Sequence, residues 1–200
     1  MEKIKTTYTI CMLLLMTVAA YGQSVQQVLD KAAGVVSNKN GVQASFTINS
    51  QQYGNTSGTI AIKGRKFHAN TNEATVWFDG KTQWTYVKQN DEVNVNNPTA
   101  ADLQAINPYN FIYMYKQGYT ATMSNSGNNY IVTLKGKDKG IQEMVITINK
   151  QTYVPNQIRM LQKKQWTTIK VSDFKTVKLS DSMFRFNPKS YPNAEIIDLR

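Results

Sequence analysis

From Gly41 onward the chain alternates. Val42, Ala44, Phe46 and Ile48 are apolar, while Gln43, Ser45, Thr47 and Asn49 between them are polar. A period of two is the signature of a strand with one face buried and the other wet. Runs of the same kind recur along the chain: Gly58 to Lys63, Lys66 to Asn70, Ala74 to Phe78, Gln83 to Lys88 and Glu92 to Asn96, then Tyr119 to Ser124, Asn129 to Lys135, Gln142 to Asn149, Asn156 to Lys163 and Thr167 to Phe174. Tyr53-Gly54-Asn55, Asp79-Gly80, Gly127-Asn128, Gly136 to Gly140 and Lys150-Gln151 separate them as turns. Strands this short and closely spaced pair with their sequence neighbours, so a meander of about eleven antiparallel strands is expected. A sheet of that length curls into a barrel or part of one. The predicted architecture is mainly β with helices: a curved antiparallel sheet forming an incomplete, half-open β-barrel.

Two segments break the alternation. Val25, Val28, Leu29, Ala32, Val35 and Val36 follow the three-and-four spacing of an amphipathic helix, with Ser24 as N-cap and Asn40-Gly41 as the stop. Between Asn97 and Gly118, the stretches Pro98 to Ile106 and Pro108 to Tyr115 read as two short helices, each with Pro near its first turn. Leu103, Ile106, Phe111 and Met114 give this connection an apolar face. That face either plugs the barrel mouth as a helical lid or belongs to ordinary core.

The chain opens with Lys3 and Lys5, an apolar run to Ala20, and small residues at Ala20 and Gly22. This is the order of a secretory signal peptide, expected over residues 1–22, leaving residues 23–200 as a single domain of an exported protein. The apolar run is shorter than the roughly 20 residues of a membrane span. The one cysteine, Cys11, lies inside that run, which excludes thiol catalysis, Cys-ligated zinc and disulfides from the exported form. A single histidine, His68, removes mechanisms that need a His cluster; following Phe67, it is expected to be exposed and passive. Gln23 to Tyr115 carries 7 basic against 6 acidic residues, whereas Lys116 to Arg200 carries 14 against 6. The positive half favours an anionic surface or partner. No basic helix or RNA-binding motif points to nucleic acid.

No G-x-S-x-G, Walker loop, G-x-G-x-x-G or H-E-x-x-H occurs, so no enzyme, metal or cofactor is expected. Asp91-Glu92 falls in a hairpin turn, and Asn55-Thr56-Ser57 matches a glycosylation acceptor. The chain is instead rich in apolar and aromatic side chains at positions read as inward: Phe46, Ile48, Ile60, Ile62, Phe67, Val76, Phe78, Trp84, Tyr86, Met144, Ile146, Ile158 and Met160. They are the candidate wall of a cavity, to which Met contributes an adaptable surface.

Four pieces of the chain resemble a known family: Val42-Gln43-Ala44-Ser45-Phe46-Thr47, Gly58-Thr59-Ile60-Ala61-Ile62-Lys63, Trp77-Phe78-Asp79-Gly80-Lys81-Thr82-Gln83-Trp84-Thr85-Tyr86, and Met183-Phe184-Arg185-Phe186-Asn187-Pro188-Lys189. In this order they resemble the LolA-like periplasmic lipoprotein carriers, whose half-barrel with a helical lid is shared with the LolB-like acceptors. The resemblance implies a monomeric periplasmic chaperone that shelters the acyl chains of lipoproteins and carries them to the outer membrane. It would meet an inner-membrane release complex and an outer-membrane acceptor transiently, with no covalent chemistry. The family's proteobacterial members latch the lid with an Arg followed by Pro; here Lys63-Gly64-Arg65-Lys66 has no Pro, and Arg65 is the candidate latch. A second reading of the same fold is a sensor that detects stray lipid or lipoprotein and signals to a membrane protein.

Overall fold

The computed structural model describes residues 23–50, 54–99, 109, 116–137 and 140–200. Helix α1 spans Val25–Val36, where the spacing placed it. Ser24 caps it by accepting from the Gln27 N–H, while the Gln27 side chain accepts from the Ser24 N–H in return, closing a capping box.

Apart from two short 3-10 turns of helix at Asp181–Phe184 and Pro188–Ser190, the remaining elements form one sheet of twelve strands: β1 (Val42–Ser50), β2 (Gly54–Lys63), β3 (Lys66–Thr71), β4 (Ala74–Phe78), β5 (Gln83–Val87), β6 (Glu92–Asn96), β7 (Thr120–Ser126), β8 (Asn129–Lys135), β9 (Glu143–Asn149), β10 (Pro155–Gln162), β11 (Gln165–Thr176) and β12 (Glu195–Asp198). The order across the sheet is β12-β6-β5-β4-β3-β2-β1-β11-β10-β9-β8-β7. Hairpins build each half, and the β1–β11 pair joins them. The sheet is curved and unclosed, with β12 and β7 at its edges.

The expected count of about eleven is corrected to twelve by β12, which pairs in parallel with β6. Its Glu195-Ile196-Ile197-Asp198 is too short to register as an alternating run, and its partner lies far back in the chain. The turn expected at Tyr53-Gly54-Asn55 also moves, because Gly54 and Asn55 already pair with Ser50 and Asn49 inside the β1–β2 ladder. The acceptor-like Asn55-Thr56-Ser57 is therefore strand. The helices expected between Pro98 and Tyr115, and the lid residues Leu103, Ile106, Phe111 and Met114, lie outside the described residues, as does the 1–22 leader.

One local feature lets neighbouring strands come close. Gly58 sits opposite Phe46, and a Cβ there would stand 2.2 Å from the Asn70 carbonyl oxygen of β3 and 3.0 Å from the Phe46 ring. Only the absent side chain lets β2 approach β3 so closely.

Directly opposed residues in an antiparallel ladder share a face, so the registers trace each face across the sheet. The inner face runs from Phe78 through Phe67, Ile62 and Val42 on one row, and through Val76, Ala69, Ile60 and Ala44 on the next. It continues across β11 from Phe46 and Ile48 to Val171 and Ile169, then to Ile158, Ile146, Val132 and Met123. The buried side of α1, Val28, Leu29, Ala32 and Val36, joins the same apolar cluster.

Candidate functional site

Phe46, Ile48, Ile60, Ile62, Phe67, Val76, Phe78, Met144, Ile146, Ile158 and Met160 all lie in the inner-face cluster or pack against it. Trp84 and Tyr86 do not. The β4–β5 register pairs Trp77 with Trp84 and Thr75 with Tyr86, on the face opposite Phe78 and Val76. The cause is the hairpin between them: the Asp79 carboxylate accepts from the Lys81 and Thr82 N–H groups at 3.1 and 3.0 Å, fixing a loop that sets Phe78 against Gln83. With Phe78 inward, Trp84 must follow Trp77 outward. Counting the residues of that loop was the signal that would have shown it.

On the outer face the aromatic residues meet the C-terminal segment. The Tyr191 ring packs on Tyr86, Trp77 and Phe186 at centroid distances of 4.6, 5.6 and 5.4 Å. Trp77 also packs on Phe186 and on His68, each at 5.5 Å. Phe184 is fully buried with Ala61 and Leu179. His68 is thus half-buried rather than exposed, and burial pulls its pKa down. The motif around Asp79 and the Phe184-Arg185-Phe186 motif, far apart in sequence, form one brace: Arg185 Nε donates to Asp79 Oδ2 at 3.3 Å. Below it, Asp181 meets Lys63 and Lys66 at 2.9 and 3.3 Å.

Burial of Asp79 opposes its ionisation, but the N–H groups of Thr82 and Lys81 together with Arg185 outweigh it and hold the carboxyl below its ordinary range. A carboxyl depressed on folding contributes stability above its unfolded pKa and loses it as pH falls through the folded one. Asp79→Asn is expected to be less stable than the parent at neutral pH, with the two urea midpoints converging as pH drops below about 4. A constant gap across that range would show that the brace does not depend on charge.

The inner face is mainly apolar over β4 to β1 and β11 to β7, interrupted by Ser50 and Thr167, whose hydroxyls meet at 2.9 Å. Ile146, Ile148, Ile158, Val132 and Leu134 are fully excluded from solvent, whereas Ile48, Val76, Met160 and Val171 on the same face are only half-buried. Among the described residues, none of the buried side chains is charged. Tyr109, 3% exposed, joins the cover, and burial pushes its phenol up. The face turns polar at β5 and β6, where Gln83, Thr85, Asn94 and Asn96 succeed Phe78 and Val76. Gln83 Nε2 donates to Thr85 Oγ1 at 3.1 Å, while its buried Oε1 has no hydrogen-bond partner among the described residues.

The start of α1 is tied to this sheet by tyrosines. Tyr130 and Tyr153 both donate to Gln23 Oε1, at 3.2 and 2.9 Å, and Lys31 Nζ donates to the Tyr153 hydroxyl at 3.2 Å. Arg65, by contrast, stands exposed in the turn between β2 and β3. Among the described residues no group of three or more His, Cys, Asp and Glu side chains could hold a metal ion, and no helix is long and apolar enough to cross a membrane.

The family model described as outer membrane lipoprotein carrier protein LolA matches residues 15–165. No curated protein matches the chain by sequence. Among solved structures, an uncharacterized conserved protein from Thermus thermophilus is similar over 88% of this chain and 99% of its own, with a TM-score of 0.63 at 14% identity. A LolA superfamily protein from Nitrosomonas europaea aligns over 82% and 99% of the two chains, with a TM-score of 0.46 at 12% identity. The Pseudomonas aeruginosa MucA/MucB complex provides a further match over 82% of this chain and 61% of that chain, with a TM-score of 0.47 at 9% identity. At these identities the likeness to solved structures concerns the fold alone; the family is established by the matched model, and the chain belongs to the LolA outer membrane lipoprotein carrier family.

Proposed function

We propose that this protein is a periplasmic carrier that takes the acyl chains of lipoproteins onto its inner sheet face and shuttles them to the outer membrane. The observation that carries this reading is the inner face itself: a mainly apolar surface from β4 across to β7, without a buried charge among the described residues, under a cover that includes one amphipathic helix. Shielding an acyl chain from water is worth about 0.8 kcal/mol per CH₂. A lipoprotein's tails therefore require a surface of this kind before they can cross an aqueous compartment.

Loading displaces part of the cover over the buried inner side chains, and cargo selects the opened form. The cover is held to the sheet through Gln23, Lys31 and Tyr153, polar contacts that water can replace. The amide-lined stretch at Gln83, Asn94 and Asn96 lies beside the apolar floor, where the polar end of a lipidated cysteine would sit with its tails on Phe78 and Val76. The roles of Leu103, Ile106, Phe111 and Met114 as lid and of Arg65 as latch belong to this proposal.

The test is recovery from periplasm followed by mass spectrometry. Acylated peptides should copurify and pass to outer-membrane vesicles. Their absence, under conditions where an established carrier recovers them, overturns the reading. Binding of lipid without any transfer would instead favour a sensor built on the same fold.

A further inference from the structure

The C-terminal brace covers one half of the outer sheet face. The other half, over β8 to β11, keeps Ile131, Val145, Leu161 and Trp166 half-exposed. Register puts all of them on the face opposite Ile146 and Ile158: Leu161 opposes Trp166, Val145 opposes Arg159, and Ile131 opposes Thr147. Interleaved with them are cations. The Arg159 guanidinium lies 4.4 Å over the Trp166 ring, Lys170 stands exposed on β11, and Lys163-Lys164 form the tip of the β10–β11 hairpin. Among the described residues, none of these four cations forms an ion pair; Glu143, opposite Leu161, lies 3.8 Å from Lys135, while Asp173 on β11 and Glu73, which lines a groove with Lys170, border the patch toward β1 and β2 and leave the hairpin tip free of carboxylates.

The hairpin tip supplies an independent observation. Lys163 and Lys164 both hold positive φ, +49° and +65°. A two-residue turn of this hand prefers Asn-Gly, because Cβ crowds the backbone carbonyl there, a clash that Gly lacks and that Asn offsets by local hydrogen bonding. Two adjacent lysines instead keep two charges at the extreme of the hairpin at a cost to folding, a pattern associated with function at the strained site.

We propose that this half of the outer face, with its Lys163-Lys164 tip, docks on the surface of an anionic phospholipid bilayer. Charge complementarity selects the occupant: long, unpaired cations attract a negatively charged surface, and Trp166 and Leu161 between them supply amphipathic and apolar groups suited to the headgroup boundary. An acidic protein would be matched better by cations held in fixed geometry, and among the described residues no side-chain hydrogen bond or ion pair holds the tip lysines. The proposal is independent of what the inner face carries, since the two surfaces lie on opposite sides of the sheet.

The test uses the exported protein purified from periplasm, with vesicles of phosphatidylcholine alone or mixed with phosphatidylglycerol, and the double variant Lys163→Asn/Lys164→Gly. The parent should cosediment with the anionic vesicles, weaken as salt is raised, and ignore the neutral ones. The variant should melt at a higher temperature than the parent, since its turn is relieved of strain, and bind anionic vesicles roughly 25-fold more weakly, about fivefold per charge removed. A better-folded protein that binds less separates a docking role from a structural one. Equal binding to neutral and anionic vesicles, undiminished binding by the variant, or capture by an acidic protein with no vesicle binding would each overturn the proposal.

Discussion

Phe67→Ala is expected to cost about 3–5 kcal/mol of unfolding free energy, a large share of what a domain of this size possesses. Phe67 is 1% exposed, its ring centroid is 5.4 Å from that of Phe78, and it sits in the ladder between Ile62 and Phe78. Truncation removes its transfer energy and leaves a cavity that neighbours on three adjacent strands are not free to fill. Phe67→Leu, which keeps most of the volume, should lose less than half as much. Urea unfolding monitored by Trp fluorescence measures both. A loss below about 1 kcal/mol would mean that the inner face is not packed around this ring.

A charge on the same surface at a less enclosed point addresses cargo rather than folding. Met160 is half-buried on the inner face, opposite Met144 and Thr167. Met160→Glu is expected to abolish recovery of acylated cargo, at least about a hundredfold, because an unpaired carboxylate against an alkyl chain costs several kcal/mol and each 1.4 kcal/mol is tenfold. Met160→Leu should carry cargo as the parent does. Thr122→Glu, exposed on the outer face of β7, adds the same charge where no cargo is proposed and should leave the recovery of acylated peptides unchanged. Thermal melting of all three separates unloading from unfolding. Full recovery of acylated peptides with folded Met160→Glu would remove the inner face from the binding site.

The meander was legible because its strands are half-buried and each pairs with a neighbour: Val42, Phe46 and Ile48 point one way and Thr47 and Asn49 the other, and Asn129–Lys135 appears where the alternation put it. The helix was legible for the same reason at a different period, down to its capping Ser24. What alternation does not encode is which face a strand shows when both faces are covered. Trp77 and Phe78 are adjacent and both buried, one under the C-terminal brace and one under the inner cover. Hydrophobicity therefore could not orient Trp84 and Tyr86; the loop closed by Asp79 did. Strand β12 was hidden differently, because its pairing with Val93 to Val95 depends on backbone groups brought together by the whole intervening fold. The motifs around Asp79 and Phe184 are parts of a brace on the outer face, whereas the candidate binding surface is spelled by scattered Val, Ile, Met and Phe that form no motif.

The two unjoined margins of the sheet, β7 and β12, have a mechanical consequence. In a closed barrel the girth is set by a full ring of ladder bonds, and widening it means breaking some of them. A strip with free borders can relax its curl by bending alone, with every rung intact. With the proposed cargo on its inner face, such a strip would adapt its width to thicker or thinner tails at the cost of flexure and recover its shape when they leave.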